Sequence, residues 1–224
     1  MKTTNIAIDG PAGAGKSSIA KEISSELGFI YVDTGALYRT VALYVQENEL
    51  DSDEAIIKSL DDIDIDLSFI GGTQRISLGG EDVTDDIRTP EISMGASKVS
   101  AIPEVREFLF ELQQKMAREH NVIMDGRDIG TVVLPDADLK IFLTASADER
   151  ASRRYLELKE KADCPTFEEI KADIIKRDYN DSHRAVAPLK QADDAVLIDT
   201  TDMGFHEVCE EILDLIKERL DIEV

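Results

Sequence analysis

The segment Gly10-Pro11-Ala12-Gly13-Ala14-Gly15-Lys16-Ser17 fits the pattern G-x-x-x-x-G-K-[ST]. It stands between an apolar run, Asn5 to Asp9, and a stretch whose apolar positions Ile19, Ala20, Ile23 and Leu27 recur at helical spacing. Strand, glycine-rich loop and helix in that order restrict the chain to α/β folds built on a phosphate loop. Glycines allow the strained backbone and the close approach, so that main-chain N–H groups and the helix N-terminus can surround phosphate oxygens. Lys16 supplies a point charge for the β and γ phosphates, and the Ser17 hydroxyl is placed to ligate Mg²⁺. Gly10 through Ser18 are therefore the expected nucleotide-binding residues, with ATP and Mg²⁺ as the expected co-substrate and metal.

Four more runs have the short, nearly continuous apolar character of strands covered on both faces: Phe29 to Asp33, Val122 to Asp125, Leu139 to Leu143 and Ala195 to Asp199. Helical periods fill most of the gaps, as in Phe108, Leu109, Leu112 and Met116, and again from Phe205 through Val208, Ile212 and Ile216 to Leu220. The gap from Asp33 to Val122 is too long for a simple crossover, which needs only a dozen or so residues. Within it Ile63 to Phe69 and Arg75 to Leu78 alternate, Gly71-Gly72 and Gly79-Gly80 mark turns, and a helix is predicted near Pro90 to Ser100. The expectation is a five-stranded parallel sheet flanked by helices, interrupted by a small antiparallel sheet. Eight acids between Glu49 and Asp66, against Lys58 alone, read as a solvated face.

With 25 basic against 47 acidic residues the formal charge is −22, which argues against binding a nucleic-acid backbone or an anionic membrane. Cys164 and Cys209 lack a neighbour at ligand spacing, so neither zinc nor a disulfide framework is expected. No secretory signal is visible, and a cytoplasmic monomer working on small-molecule nucleotides is expected. A GTPase would need N-K-x-D, which the sequence lacks, and a motor-type ATPase would need a strand ending in D-E where Val122 to Asp125 ends in Asp-Gly. Transfer to a small acceptor remains, against a rival in which the loop binds nucleotide without turnover. Arginine clamps phosphate in two-pronged fashion. Arg39 and Arg127 follow strand ends, where ligands bind in parallel sheets, while Arg177 and Arg184 flank Asp178 and Asp181 on one predicted helix. Arg150, Arg153 and Arg154 share another, and are expected to swing together onto the phosphates as a lid.

These residues bring the sequence close to a known family. From Ile6 to near the C-terminus it resembles the bacterial-type cytidylate (CMP) kinases, in Ile8 to Ser17, Asp33-Thr34-Gly35-Ala36-Leu37-Tyr38-Arg39, Asp125-Gly126-Arg127-Asp128-Ile129-Gly130-Thr131, Lys140 to Leu143, Arg177-Asp178 through Asp181 to Arg184, and Ala187-Pro188-Leu189. The resemblance implies a P-loop kinase core (about 1–34, 120–145 and 185–224), an acceptor-binding insertion (about 35–119) and a helical lid (about 146–165) in one domain. It implies transfer from ATP to CMP or dCMP, with Thr34, Arg39, Ser97, Arg106, Arg127, Asp128, Arg177, Asp181 and Arg184 at acceptor positions. Ser97, Arg106 and Asp128 would face cytosine, Arg177 and Asp181 the sugar, and Arg39, Arg127 and Arg184 the phosphate. Catalysis would rest on Lys16, Arg127, Arg150 and Arg154. A phosphate oxygen is already anionic, so no general base is required. The alternative acceptors are UMP and a small alcohol, the latter needing a base for which Asp33 is the only well-placed candidate.

Overall fold

The computed structural model describes residues 3–70, 73–160 and 164–222. Five parallel strands, β1 (Asn5–Asp9), β2 (Ile30–Asp33), β6 (Val122–Gly126), β7 (Leu139–Thr144) and β8 (Val196–Asp199), form one sheet in the order β2-β6-β1-β7-β8. β1 lies at its centre, with Asp9 opposite Gly126 on one side and Phe142 on the other. The period of two splits β1, β2 and β6 between two cores, while β7 and β8 feed only one of them. Ala7, Val32, Val122 and Met124 pack under α2 (Thr34–Glu47), α4 (Pro90–Val99) and α5 (Pro103–Glu119), whereas Ile6, Ile8, Ile123 and Ile141 pack under α1 (Lys16–Leu27) and α8 (Phe205–Leu220).

Between α2 and α4 the chain forms a short helix, α3 (Asp53–Ser59), and an antiparallel sheet of β3 (Ile65–Ile70), β4 (Thr73–Leu78) and β5 (Glu81–Asp82). The expected strand from Ile63 begins two residues later, because Ile63 closes the 3₁₀ turn Leu60–Asp62 through its N–H to the Leu60 carbonyl. The expected Gly71-Gly72 turn lies outside the described residues. The Gly79-Gly80 turn is present, both glycines having positive φ. All eight acids between Glu49 and Asp66 are exposed, while Ile56, Leu60, Ile63 and Leu67 turn inward.

α6 (Ala147–Leu158) and α7 (Phe167–His183) pack on each other, α7 starting from a capping box of Thr166 and Glu169. The tip of the segment expected as a lid includes residues 161–163, outside those described. No helix among the described residues is long and apolar enough to cross a membrane.

Candidate active site

The loop after β1 is built on a glycine that nothing else could replace: a Cβ on Gly10, at φ +149°, would stand 1.9 Å from the Leu143 carbonyl oxygen of β7. Gly13 and Gly15 also hold positive φ, and Gly15 precedes α1 without a side-chain cap, leaving the helix's first N–H groups open to an anion. Lys16 is buried and donates from Nζ to the Pro11 carbonyl at 2.8 Å. Burial, reinforced by the charge of Arg127, lowers its ammonium to about 7.

Behind the loop, β6 ends in a buried carboxylate that the sequence reading treated only as a strand terminus. Asp125 Oδ2 accepts from Ser17 Oγ at 2.8 Å, Oδ1 accepts from Tyr31 Oη at 2.9 Å, and its main-chain oxygen accepts from Thr34 Oγ1 at 2.7 Å. Burial pushes the Asp125 carboxyl up from the usual carboxylate range, and Asp33 adds to the shift. An exposed hydroxyl beside a carboxylate is a hard oxygen pair of the kind Mg²⁺ takes when phosphates and waters supply its remaining ligands, so Ser17 and Asp125 fit that ion.

A cleft of about 740 Å³ runs from the loop to the insertion. It is lined by Ala12 through Ser18 and by every expected acceptor residue: Thr34, Arg39, Ser97, Arg106, Arg127, Asp128, Arg177, Asp181 and Arg184. At its far end Asp128 is clamped by two arginines, Arg106 Nη2 on Oδ2 and Arg184 Nη2 on Oδ1, the latter at 3.1 Å. Burial raises the Asp128 carboxyl and the two arginines oppose the rise. Nearer the middle, Arg127 Nε donates to Asp181 Oδ2 and Arg39 Nη2 to Asp33 Oδ2, each at 2.8 Å. Asp33 also caps α2, so its carboxylate is already engaged. The Nε atoms of Arg39 and Arg177 are buried without a hydrogen-bond partner among the described residues.

Asp9, at the end of β1, ties the two halves of the cleft together. Its carboxylate accepts from Ile129 N at 2.8 Å and Gly130 N at 2.7 Å, at the start of a π-helical turn (Ile129–Val133) that directly follows Asp128. Such turns are rare and favour functional sites, but nothing in the residue pattern announces one.

Three expected residues lie off the cleft. Gly10 and Pro11 form the loop's back. Arg150 corrects the expectation of three arginines swinging together: it is 5% exposed and donates to the Ala12 and Ala145 carbonyls at 2.9 and 2.8 Å, with its Nη2 on Asp178 at 2.7 Å. Three- and four-residue spacing leaves the three on one face, but the partners of Arg150 on the phosphate loop and α7 hold it inside while the other two stay at the cleft or in solvent. Arg153 and Arg154 line the cleft, Arg153 with its guanidinium on Thr200 and Arg154, half exposed, paired among the described residues with Glu157.

A phosphate loop at one end of a continuous cleft and arginine–carboxylate clamps at the other, on a parallel sheet with an inserted antiparallel one, define a P-loop kinase. The sequence model of the family described as cytidylate kinase matches residues 6–218. The chain belongs to the cytidylate kinase family. It is similar to a cytidylate kinase of Caldicellulosiruptor saccharolyticus, 51% identical over 226 residues with 100% of both chains covered. One of Lactobacillus johnsonii is 50% identical, covering 96% of this chain and 94% of that one. Among solved structures, an uncharacterised protein of Eubacterium ventriosum superposes with a TM-score of 0.54 at 14% identity, covering 97% of this chain and 100% of that one, a likeness of fold alone.

Proposed function

We propose that the chain transfers the γ-phosphoryl group of ATP to the phosphate of CMP or dCMP, releasing ADP and the cytidine diphosphate. The observation that carries this reading is the buried Asp128 held between Arg106 and Arg184 in the same cleft as the phosphate loop. Cytosine offers an exocyclic amino donor beside ring acceptors, so a fixed carboxylate flanked by guanidinium donors complements its edge. Uracil would turn an oxygen toward the same carboxylate. Arg39 and Arg127, each angled by its own carboxylate, bind the acceptor phosphate, and Arg177 and Asp181 the sugar.

The reacting oxygen of a monophosphate carries its own negative charge. The chain's task is therefore to align it and neutralise the charge spread over the transferring group. Lys16 and Arg127 do this from the cleft walls, and Arg154 joins them from the exposed side of α6. Arg153 with Met203, Phe205 and Val208 lines the end beyond the loop, an apolar wall suited to the donor's base. Mg²⁺, held through Ser17 with Asp125 behind it, would supply charge neutralisation on the phosphates. At rest the site's charged groups are held by partners within the chain, as Arg127 is by Asp181, Arg39 by Asp33 and Lys16 by the Pro11 carbonyl, and closure over both nucleotides keeps water from taking the phosphoryl group. The engagement of Asp33 with Ala36 and Arg39 disfavours the small-alcohol alternative, which needs that carboxylate as a base.

The test is ADP release with ATP and Mg²⁺ across CMP, dCMP, UMP and small alcohols. Turnover with the cytidine nucleotides well above the others is expected. ATP consumption that no added monophosphate stimulates would overturn the reading.

A further inference from the structure

α6 and α7 share a small apolar cluster of their own, Ala151, Ile170 and Ile174 with Leu158 and Phe167 against it, apart from the two cores of the main sheet. On α7, Arg177 and Asp181 line the cleft, whereas Asp178 between them turns to α6. Its Oδ2 meets Arg150 Nη2 at 2.7 Å, and its Oδ1 is buried without a hydrogen-bond partner among the described residues. The same guanidinium donates to the Ala12 carbonyl of the phosphate loop and to the Ala145 carbonyl just beyond β7. The loop follows closely, since a Cβ on Gly13 would come 3.4 Å from Arg150 Cβ.

A buried ion pair is a poor source of stability, because desolvation offsets most of the attraction, and here one carboxylate oxygen is also left unmet. An apolar pair could fill the same space. What it could not do is fix direction, and three directed bonds from one planar fork set the rotation of α7 against the phosphate loop.

We propose that Arg150 and Asp178 are positioning residues that couple occupancy of the acceptor end, through α7, to the phosphate loop. The inference rests on CMP being the acceptor. A nucleotide held by Arg177 and Asp181 fixes α7. Asp178 then fixes Arg150, and Arg150 holds the Ala12 carbonyl away from the phosphates, so that the loop's N–H groups stay turned to the donor. Coupling of this kind is reciprocal: each nucleotide tightens the other by the same factor.

Calorimetric titration of the full chain with a non-hydrolysable ATP analogue, with and without saturating CMP, and the reverse titration, measure that factor. In the wild type it is expected to be about fivefold or more in both directions. In Arg150→Met/Asp178→Leu, where apolar side chains replace the pair, the thermal midpoint should stay close to the wild type. The factor should fall to within about twofold of one. Arg150→Lys keeps the charge but cannot span Ala12 and Asp178 together, and should lose most of the factor as well. A merely structural pair would lower the midpoint and leave the factor unchanged. Wild-type chain that binds both nucleotides without coupling, or a double variant that keeps the full factor, overturns the inference while CMP remains the acceptor. Wild-type chain that does not bind CMP overturns both. Should the double variant fail to fold, the lysine variant decides, full coupling in it counting against the proposal.

Discussion

Asp128 is buried and acts as acceptor to two guanidinium groups, so replacing it by Asn keeps the shape and removes the charge. A hydrogen bond to a charged group contributes about 1.5–3 kcal/mol. The preference for CMP over UMP, taken as the ratio of kcat/KM values, should therefore fall by roughly 10- to 100-fold in Asp128→Asn. An unchanged ratio in the folded variant would remove Asp128 from base recognition. Asp9 makes a different prediction, about stability. Burial raises its carboxyl from 3.8 to about 6, against the opposing pull of the Ile129 and Gly130 N–H groups. In the folded state it binds its proton up to about pH 6, in the unfolded chain only to about 3.8, so its contribution is full below 3.8 and lost as pH rises through 6. The stability of the wild type relative to Asp9→Asn should fall between pH 4 and pH 7 by on the order of 3 kcal/mol, read from urea melts at each pH. A pH-independent difference would mean that Asp9 titrates normally.

At the scale of elements, α6 carries two arginines with opposite expected phenotypes. Arg154 is half exposed and, among the described residues, pairs with Glu157, so Arg154→Ala should move the thermal midpoint by no more than about 2 °C. It should lower kcat by roughly 10²- to 10³-fold if its charge reaches the transferring group on closure. Arg150→Ala strands Asp178 in a buried site and should cost about 3–5 kcal/mol of stability. A kcat for Arg154→Ala near that of the wild type would place the lid's charge elsewhere. The sequence could not separate these two residues, because three- and four-residue spacing identifies a shared face but not the partner 28 residues away on α7. The strands and the phosphate loop were legible for the opposite reason. Ile6 to Ile8 is apolar on both faces, and the glycines that follow admit few alternatives. Of the expected acceptor residues, Arg39 and Arg127 stood out by following strand ends, whereas Ser97 and Arg106 were legible only through family resemblance, since either alone looks like any polar helix residue. Asp125, Asp9 and the π-helical turn escaped notice because their roles depend on which strands are neighbours, a fact of topology that local pattern does not contain.

For the whole molecule, charge is distributed against its own average. The chain carries −22, yet the cleft gathers eight of its 12 arginines together with Lys16 and Lys21, against five carboxylates. The acids are left to the exterior, as in the exposed run from Glu49 to Asp66. The two populations respond to salt in opposite ways. Self-repulsion among exterior carboxylates weakens the compact state, and raising ionic strength from 0.01 to 1 M shortens the screening length from about 30 Å to about 3 Å, which removes most of that repulsion. The thermal midpoint should therefore rise with added potassium chloride. A gain of about 1 kcal/mol corresponds to about 2–4 °C for a chain of this size. The cleft draws nucleotides by its local positive potential, and the same screening weakens that draw, so KM for CMP should rise over the same range while kcat changes less. Potassium sulfate also strengthens apolar burial and would confuse the comparison, so chloride is the salt to use. A midpoint and a KM that both stay unchanged with chloride would mean that the exterior acids are already neutralised by bound cations and that the cleft's arginines are satisfied by their internal carboxylates alone.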